Sequence, residues 1–193
     1  MSAMETILRE YMDAQERASI PEPAKDMLRR YTERPTSLHD CIGRPSCRSL
    51  WETIRGQEVS GEPFKVFRGT CVPHFNASFG VDHPGRFSEG DTIRLREGLL
   101  SASLRSEEAQ KFLSAPHSAA YEDPLWVAIR VRRRGNAVPL YIGHLSVEPR
   151  QEEVVFGPGS VFRVQGSASL PRDVAEEHGF TDVPVLLLDF LGY

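Results

Sequence analysis

Cysteine is scarce in this 193-residue sequence, with only Cys41, Cys47 and Cys71. An odd count without paired zinc-type spacing argues against a disulfide framework and for a reducing compartment. Cys71 and His74 form a C-x-x-H that His83 extends to three zinc-type ligands, but no fourth is placed. These are read as loop side chains, and no metal is expected. Long apolar runs are also missing. None approaches the ~18–20 residues that span a bilayer, and no stretch near the start combines a basic segment, an apolar core and a small-residue cleavage site. Neither membrane insertion nor a general secretory leader is therefore expected. Basic charge is not in excess: 23 Lys and Arg against 27 Asp and Glu leave a net charge of -4. That field repels phosphate backbones and excludes nucleic acid as a bulk electrostatic partner.

Several common site signatures are absent as well. The pair Gly157-x-Gly159 lacks the third glycine and the following helix of a dinucleotide fingerprint. There is no phosphate loop with a lysine, no H-E-x-x-H and no G-x-S-x-G elbow. Repeats and low-complexity linkers are missing, so an array is excluded.

What is there fits one soluble globular domain: 40% hydrophobic and 26% charged residues, enough to bury a single core. Residues 1–60 read as the helical part. Met4, Ile7, Leu8, Tyr11 and Met12 recur at helical spacing, and Pro21 with Pro23 end that pattern. Ala24, Met27, Leu28 and Tyr31 mark a second helix up to Pro35, and Leu50, Trp51 and Ile54 a short third. Residues 61–193 read as a β-rich core. Strands are expected at Phe64–Thr70, Thr92–Arg96, Leu99–Leu104, Leu125–Val131, Ala137–Ile142, Val154–Phe156, Val161–Val164 and Val183–Phe190, with a helix from an N-capping Ser106 to Leu113. Gly135-Asn136 predicts a hairpin that folds Ala137–Ile142 back on the preceding strand. Cys71 to Asp91, rich in Gly, Pro, His and Phe without a period, reads as an irregular binding loop. The run Arg130, Arg132, Arg133, Arg134 reads as solvated charge at a hairpin end. The class is α+β with mainly antiparallel strands.

Three segments place a polar group beside or within an apolar strand, where it has to be paired or functional. They are Arg68 after Phe64-Lys65-Val66-Phe67, Ser101-Ala102-Ser103 after Leu99-Leu100, and Gln151-Glu152-Glu153 before Val154-Val155-Phe156. Taken singly, an Arg68–Glu153 ion pair and two strand-edge hydroxyls explain them.

Taken together and in this order, they resemble the R-S-E class of mono-ADP-ribosyltransferases, the cholera-toxin-like and C3-exoenzyme-like family. The resemblance rests on Phe67-Arg68-Gly69-Thr70, on Leu100-Ser101-Ala102-Ser103-Leu104, and on the fourteen residues from Gln151 to Val164, where an acidic strand start is followed by Gly157-Pro158-Gly159 and Phe162-x-Val164. It implies an ADP-ribosyltransferase-like fold, with N-terminal helices followed by two packed, mainly antiparallel sheets around an NAD cleft. Ala102 stands where the family usually has threonine. Strand alternation sends that residue to the face opposite Ser101 and Ser103, so the difference touches packing more than the site.

The resemblance also implies roles. Cleavage between nicotinamide and ribose develops an oxocarbenium-like cation, which a fixed carboxylate offsets. Glu153 is the expected carboxylate, oriented by Ser101, with Gln151 beside the acceptor. Arg68 offers a permanently charged planar fork to the NAD phosphates. Gly69 lets backbone approach the nicotinamide amide, Thr70 follows in the same motif, and Ser103 gives secondary support. Phe75, Phe79 and Phe87 supply aromatics that stack on nicotinamide or anchor the loop in the core, and Phe87 is the expected cofactor contact.

In that family Glu at position 151 accompanies arginine acceptors, because a second carboxylate pairs with a guanidinium, whereas Gln accompanies neutral ones. Gln151 thus points to an Asn, Gln, Ser or Thr acceptor. The expected co-substrate is NAD and the expected partner a host protein, such as a GTPase or ubiquitin. The chain is expected to be a monomeric secreted effector or toxin acting in the target-cell cytosol. Two other readings stay open: an NAD glycohydrolase toxin, and a catalytically silent binding module with the same fold.

Overall fold

The computed structural model describes residues 2–34, 45–57, 61–81, 87–96, 98–113, 123–132 and 137–193. Helix α1 (Ala3–Arg17) starts from a capping box in which the Ser2 hydroxyl accepts from the Glu5 N–H and the Glu5 carboxylate accepts from the Ser2 N–H. It buries Tyr11 and Gln15. The Tyr11 hydroxyl donates to the Pro139 carbonyl, and the Gln15 amide oxygen accepts from the Tyr141 N–H at 3.2 Å. Helix α2 (Glu22–Glu33) begins right after Pro21 and buries Ala24, Leu28 and Tyr31, positions separated by one turn each. Helix α3 (Pro45–Arg55) turns Cys47, Leu50 and Ile54 inward in the same way.

Among the described residues, eight strands follow in one hydrogen-bonded sheet, β1 (Phe64–Cys71), β2 (Thr92–Arg94), β3 (Leu100–Ser103), β4 (Pro124–Val131), β5 (Leu140–Tyr141), β6 (Glu153–Phe156), β7 (Val161–Ser169) and β8 (Pro184–Gly192), in the order β2-β7-β8-β4-β1-β3-β6-β5. All neighbours are antiparallel except β4 and β8, which run parallel from Trp126↔Val185 to Val131↔Phe190. Helices α4 (Val72–Ser78), α5 (Ser106–Gln110) and α6 (Arg172–Glu177) connect them. The β1–β4 ladder is registered along its whole length, from Phe64↔Val131 to Cys71↔Pro124. The β1–β3 contact holds only one registered pair, Phe67↔Ser103. The sheet therefore consists of a five-stranded and a three-stranded part meeting at a narrow junction.

Alternation along β6 divides the core. Val154 and Phe156 join the main cluster with Phe64, Val66, Phe162 and Phe190. Val155 points to the other side, where it packs with Leu140, Ile142 and the inward residues of α2 and α3. The N-terminal helices are thus the second layer over the small part of the sheet.

Several expectations are corrected here. The two packed sheets are one continuous ladder, because β3 bridges the two parts. The hairpin predicted for Ala137–Ile142 does not form: β5 pairs with β6, and β4 lies between β1 and β8. The loop expected after Cys71 contains α4, whose Pro73 sits in the first turn and whose Phe75 and Asn76 are buried. A two-turn helix is too short to set up a visible period. Helix α6 was missed for the same reason. Ser106 is not the cap of α5; Arg105 holds that position. Cys47 is disulfide-bonded, while Cys71 is a free, buried thiol. An odd count excludes complete pairing but not one bridge. His83, Cys41, Arg133 and Arg134 lie outside the described residues.

Of the arginine run, Arg130 and Arg132 are not merely solvated. Asp189, 2% exposed, accepts two hydrogen bonds from Arg130 at 2.6 and 2.7 Å and one from Arg132 at 2.7 Å. The hydrogen bonds from Arg130, helped by both positive charges, hold this carboxyl below the ordinary aspartate value in spite of its burial. A depressed carboxyl stabilises the fold above the unfolded pKa, and that contribution is lost as pH falls through the folded one. Asp189→Asn is expected to lower the urea midpoint at pH 7 by the equivalent of about 1–3 kcal/mol. The gap from wild type should narrow as pH drops below about 4.

Candidate active site

The junction between the two parts of the sheet collects Arg68 from β1, Ser101 from β3 and Glu153 from the start of β6. Register brings them close: Ser103 stands opposite both Phe67 and Glu153, and Ser101 opposite Val155. Strand alternation sets Ser101, Ser103, Glu153 and Val155 on one face, the one covered by α2 and α3. Arg68 Nη1 donates to both the Ser101 carbonyl at 2.8 Å and the Ser101 Oγ at 2.9 Å. The Ser101 hydroxyl lies close enough to the Glu153 carboxyl to favour its charged form. Arg68 Nε is buried with no hydrogen-bond partner among the described residues. A buried, charged N–H left open costs stability unless another group accepts from it. An anionic or carbonyl oxygen is what would satisfy it.

Glu153 sits where two effects oppose each other. Burial disfavours its charged form, while the Arg68 charge and the nearby Ser101 hydroxyl favour it, and burial wins, pushing the carboxyl up to about 7. Such a group exchanges its proton near neutrality.

The segment that delivers Glu153 is tightly held. A single turn at Pro149–Gln151 ends in Glu152, which adopts φ 44, a left-handed conformation costing a non-glycine residue roughly 1 kcal/mol or more. Three contacts stabilise it. The Ser103 hydroxyl donates to the Gln151 carbonyl at 2.5 Å, the Glu152 carbonyl accepts from the Leu104 N–H at 3.1 Å, and the Glu153 carbonyl accepts from the Ile142 N–H at 2.9 Å. The Glu152 side chain turns away toward Arg105, 3.8 Å distant. Burial raises its pKa, with Glu107 and Glu108 adding to the effect and Arg105 opposing it. Gln151 is partly exposed at the end of the turn.

The other sequence-derived residues are placed differently. Ser103 also accepts from the Arg105 N–H at 3.0 Å, so its hydroxyl serves the loop. Gly69 faces α5: a Cβ there would lie 2.5 Å from the Ala109 carbonyl oxygen and 3.1 Å from the Leu113 nitrogen. Thr70 is buried in the β1–β4 ladder. Phe87 packs edge-on against Phe75 and Phe79, with ring centres 6.0 and 6.3 Å apart.

One participant was not singled out from the sequence. Tyr31 of α2, 7% exposed, comes close enough for Ser101, Glu153 and Arg68 to bear on the ionisation of its phenol, which burial pushes up to about 12. Its signal was a lone hydroxyl in the apolar stripe Ala24, Met27, Leu28, Tyr31.

Comparison with solved structures puts this geometry in context. Plx2a, an ADP-ribosyltransferase toxin from Paenibacillus larvae, superposes with a TM-score of 0.66 at 15% identity, covering 98% of this chain and 93% of that one. The C3 exoenzyme of Clostridium limosum gives 0.61 at 14% identity over 98% and 95% of the two chains. C3stau2 from S. aureus, solved with NAD, gives 0.64 at 13% identity over 98% and 95%. The fold is that of the C3-like ADP-ribosyltransferase toxins. No protein-family model matches the chain, and no curated protein is significantly similar to it in sequence. Among the described residues, no helix is long and apolar enough to cross a membrane, and no group of three or more His, Cys, Asp or Glu is arranged to hold a metal ion.

Within this ADP-ribosyltransferase fold, the raised carboxyl has a consequence for stability. A carboxyl whose folded pKa lies above its unfolded one favours the native state below the unfolded value, and that advantage disappears as pH rises through the folded value. Glu153→Gln, which mimics the neutral acid, is expected to match wild type in urea midpoint below about pH 4 and to exceed it above pH 7, by up to about 3 kcal/mol. Gly69→Ala is expected to destabilise by about 1–3 kcal/mol, since its clash is with backbone that cannot rotate away. Denaturation at pH 4, 7 and 9 checks both.

Proposed function

We propose that this protein is an NAD-dependent mono-ADP-ribosyltransferase that modifies a neutral side chain, Asn, Gln, Thr or Ser, on a host protein. The observation that carries the reading is the convergence of Arg68, Ser101 and Glu153 at the sheet junction, with the Glu153 carboxyl buried and pushed up to about 7. The open Nε of Arg68 fits an NAD phosphate or amide oxygen. Bound NAD supplies a glycosidic bond to a cationic leaving group, whose rupture leaves positive charge on the ribose. Glu153, ionised, offsets that charge and holds the ribose 2′-hydroxyl. A carboxylate in a poorly hydrated setting does this more strongly than one in water. Ser101 keeps the carboxylate in place.

Gln151 ends the turn two residues before Glu153, and the role we assign to its amide is contact with the acceptor. An amide both donates and accepts, which suits a neutral acceptor; a guanidinium would need a second carboxylate. Glu152 does not supply it, being turned toward Arg105. We infer a secreted effector or toxin, acting as a monomer in the cytosol of a target cell.

The test is incubation with labelled NAD in host and bacterial lysates, with mass spectrometry of any labelled band. A discrete band modified on a neutral side chain, lost at least 100-fold in Glu153→Gln, supports the proposal. NAD consumption without a band favours a glycohydrolase, and no consumption in either lysate favours a silent binding module. An arginine acceptor overturns the role given to Gln151. The kcat/KM for NAD is expected to rise with pH through a midpoint near 7, as Glu153 ionises. Arg68→Lys is expected to raise KM for NAD about tenfold or more, because lysine cannot serve Ser101 and a ligand through one planar fork.

A further inference from the structure

Lys65, Arg130, Asp189 and Arg163 form one row across the large part of the sheet. Lys65 is registered with Arg130, Arg130 with Asp189, and Asp189 with Arg163, and the strands that carry them, β1, β4, β8 and β7, are neighbours. At about 4.8 Å between strands the row spans roughly 14 Å. Alternation turns it away from the main core, which takes Val66, Ile129, Leu188 and Val164 from the same strands. Arg132 joins the row through its hydrogen bond to Asp189 at 2.7 Å. One end of this outer face is closed by α5 and α6, whose Ala109 and Ala175 pack with Trp126 and Val185. At the other end Lys65 and Arg163 are exposed, and the Arg130 and Arg132 side chains are 43% and 54% exposed. Leu187, in the next row opposite Ala128, is an exposed apolar residue beside these cations.

The positive charge exceeds what the fold uses. Arg130 alone grips the buried Asp189 through two nitrogens, so the carboxylate has a full bidentate partner before Arg132 adds a third bond. Lys65 and Arg163 form no ion pair among the described residues. Asp189 thus fixes two guanidiniums on the outer face, and four positive groups surround one negative group. Glu89 borders the patch beyond β7, where a Cβ on Gly166 would lie 3.9 Å from its carboxylate oxygen. The whole chain carries a net charge of -4, so this face opposes the charge of the molecule and directs it toward a negative surface.

We propose that this face is a docking surface for anionic phospholipid headgroups, which lays the protein against a negatively charged bilayer without inserting it. The strand order argues for a planar occupant. A peptide that adds to a sheet needs a free edge, and β1, β4, β8 and β7 all have neighbours on both sides. A row of Lys and Arg matches the phosphates of a headgroup layer, and an exposed leucine beside it reaches the acyl boundary. The charges lie close enough together, against a Debye length of about 10 Å in 0.1 M salt, to act as one field. The inference stands apart from the reading of Glu153, because no residue of that site takes part.

The test is sedimentation of the intact chain with vesicles of phosphatidylcholine, with and without about 30% phosphatidylserine, in about 0.1 M and 0.5 M salt. Binding is expected to the anionic vesicles only, and to be lost in the higher salt. Lys65→Gln and Arg163→Gln, which break no ion pair, are each expected to weaken partitioning about fivefold, and together about twenty-fivefold. Arg9→Gln combined with Arg30→Gln removes the same charge from exposed positions of α1 and α2 and is expected to change partitioning by less than about twofold. An equal loss in that control, or no binding to anionic vesicles in low salt, overturns the inference. If the vesicles fail while polyglutamate binds through Lys65 and Arg163, the occupant is an acidic polypeptide and the lipid assignment falls. Urea midpoints check folding. Should the double variant be unfolded, the single charge reversal Arg163→Glu must weaken partitioning at least about twentyfold, and unchanged partitioning overturns the inference.

Discussion

Arg68 donates through a single nitrogen to both oxygens of Ser101, and it does so where β1 and β3 share only one registered pair. The placement of Glu153 depends on that contact. Elsewhere the ladder is fixed by long backbone registers, such as the eight pairs between β1 and β4. At the junction, side chains replace the missing ladder. A guanidinium suits this task because it remains charged and presents several donors in fixed directions. Its second consequence is electrostatic: it keeps a buried carboxyl from rising further, leaving Glu153 at about 7.

Burying a carboxylate with one countercharge is unfavourable compared with packing an apolar residue. Here the cost falls in one place and is offset around it. Val154, Val155 and Phe156, the three residues after Glu153, are all fully buried, so the strand is anchored by apolar contacts on both faces. The strained Glu152 before it is held by backbone hydrogen bonds on each side. A rigid strand behind and a pinned turn in front leave the carboxylate little freedom, which is the condition for electrostatic preorganisation.

The helical layer has a double part in this arrangement. Its apolar stripes cover the face of the small part of the sheet, and α1 reaches the β5 edge through Tyr11 and Gln15, closing a strand that would otherwise expose its backbone. Through Tyr31, the same layer extends a polar group to the junction. Folding of residues 2–34 and completion of the site are thus linked by packing.

The sequence alone sufficed for the longer periodic elements and for the polar residues that interrupt apolar strands. Helical spacing in α1, α2 and α3, alternation in β1 and β4, and the polar residues interrupting apolar strands at Arg68, Ser101 and Glu153 were legible, because period and polarity are properties of consecutive residues. Short elements such as α4 and α6 were not, since they end before a period develops. Strand pairing was not legible: the one pairing read from a turn, the hairpin of Ala137–Ile142 on the preceding strand, does not form, and β5 lies beside β6. Polarity at position 31 was visible, but its place at the junction was not. Only the tertiary structure brought Tyr31, Arg68, Ser101 and Glu153 within reach of one another, and only burial moved the carboxyl toward neutrality. Both depend on which surfaces exclude water together, a property of the assembled layers and not of any one segment.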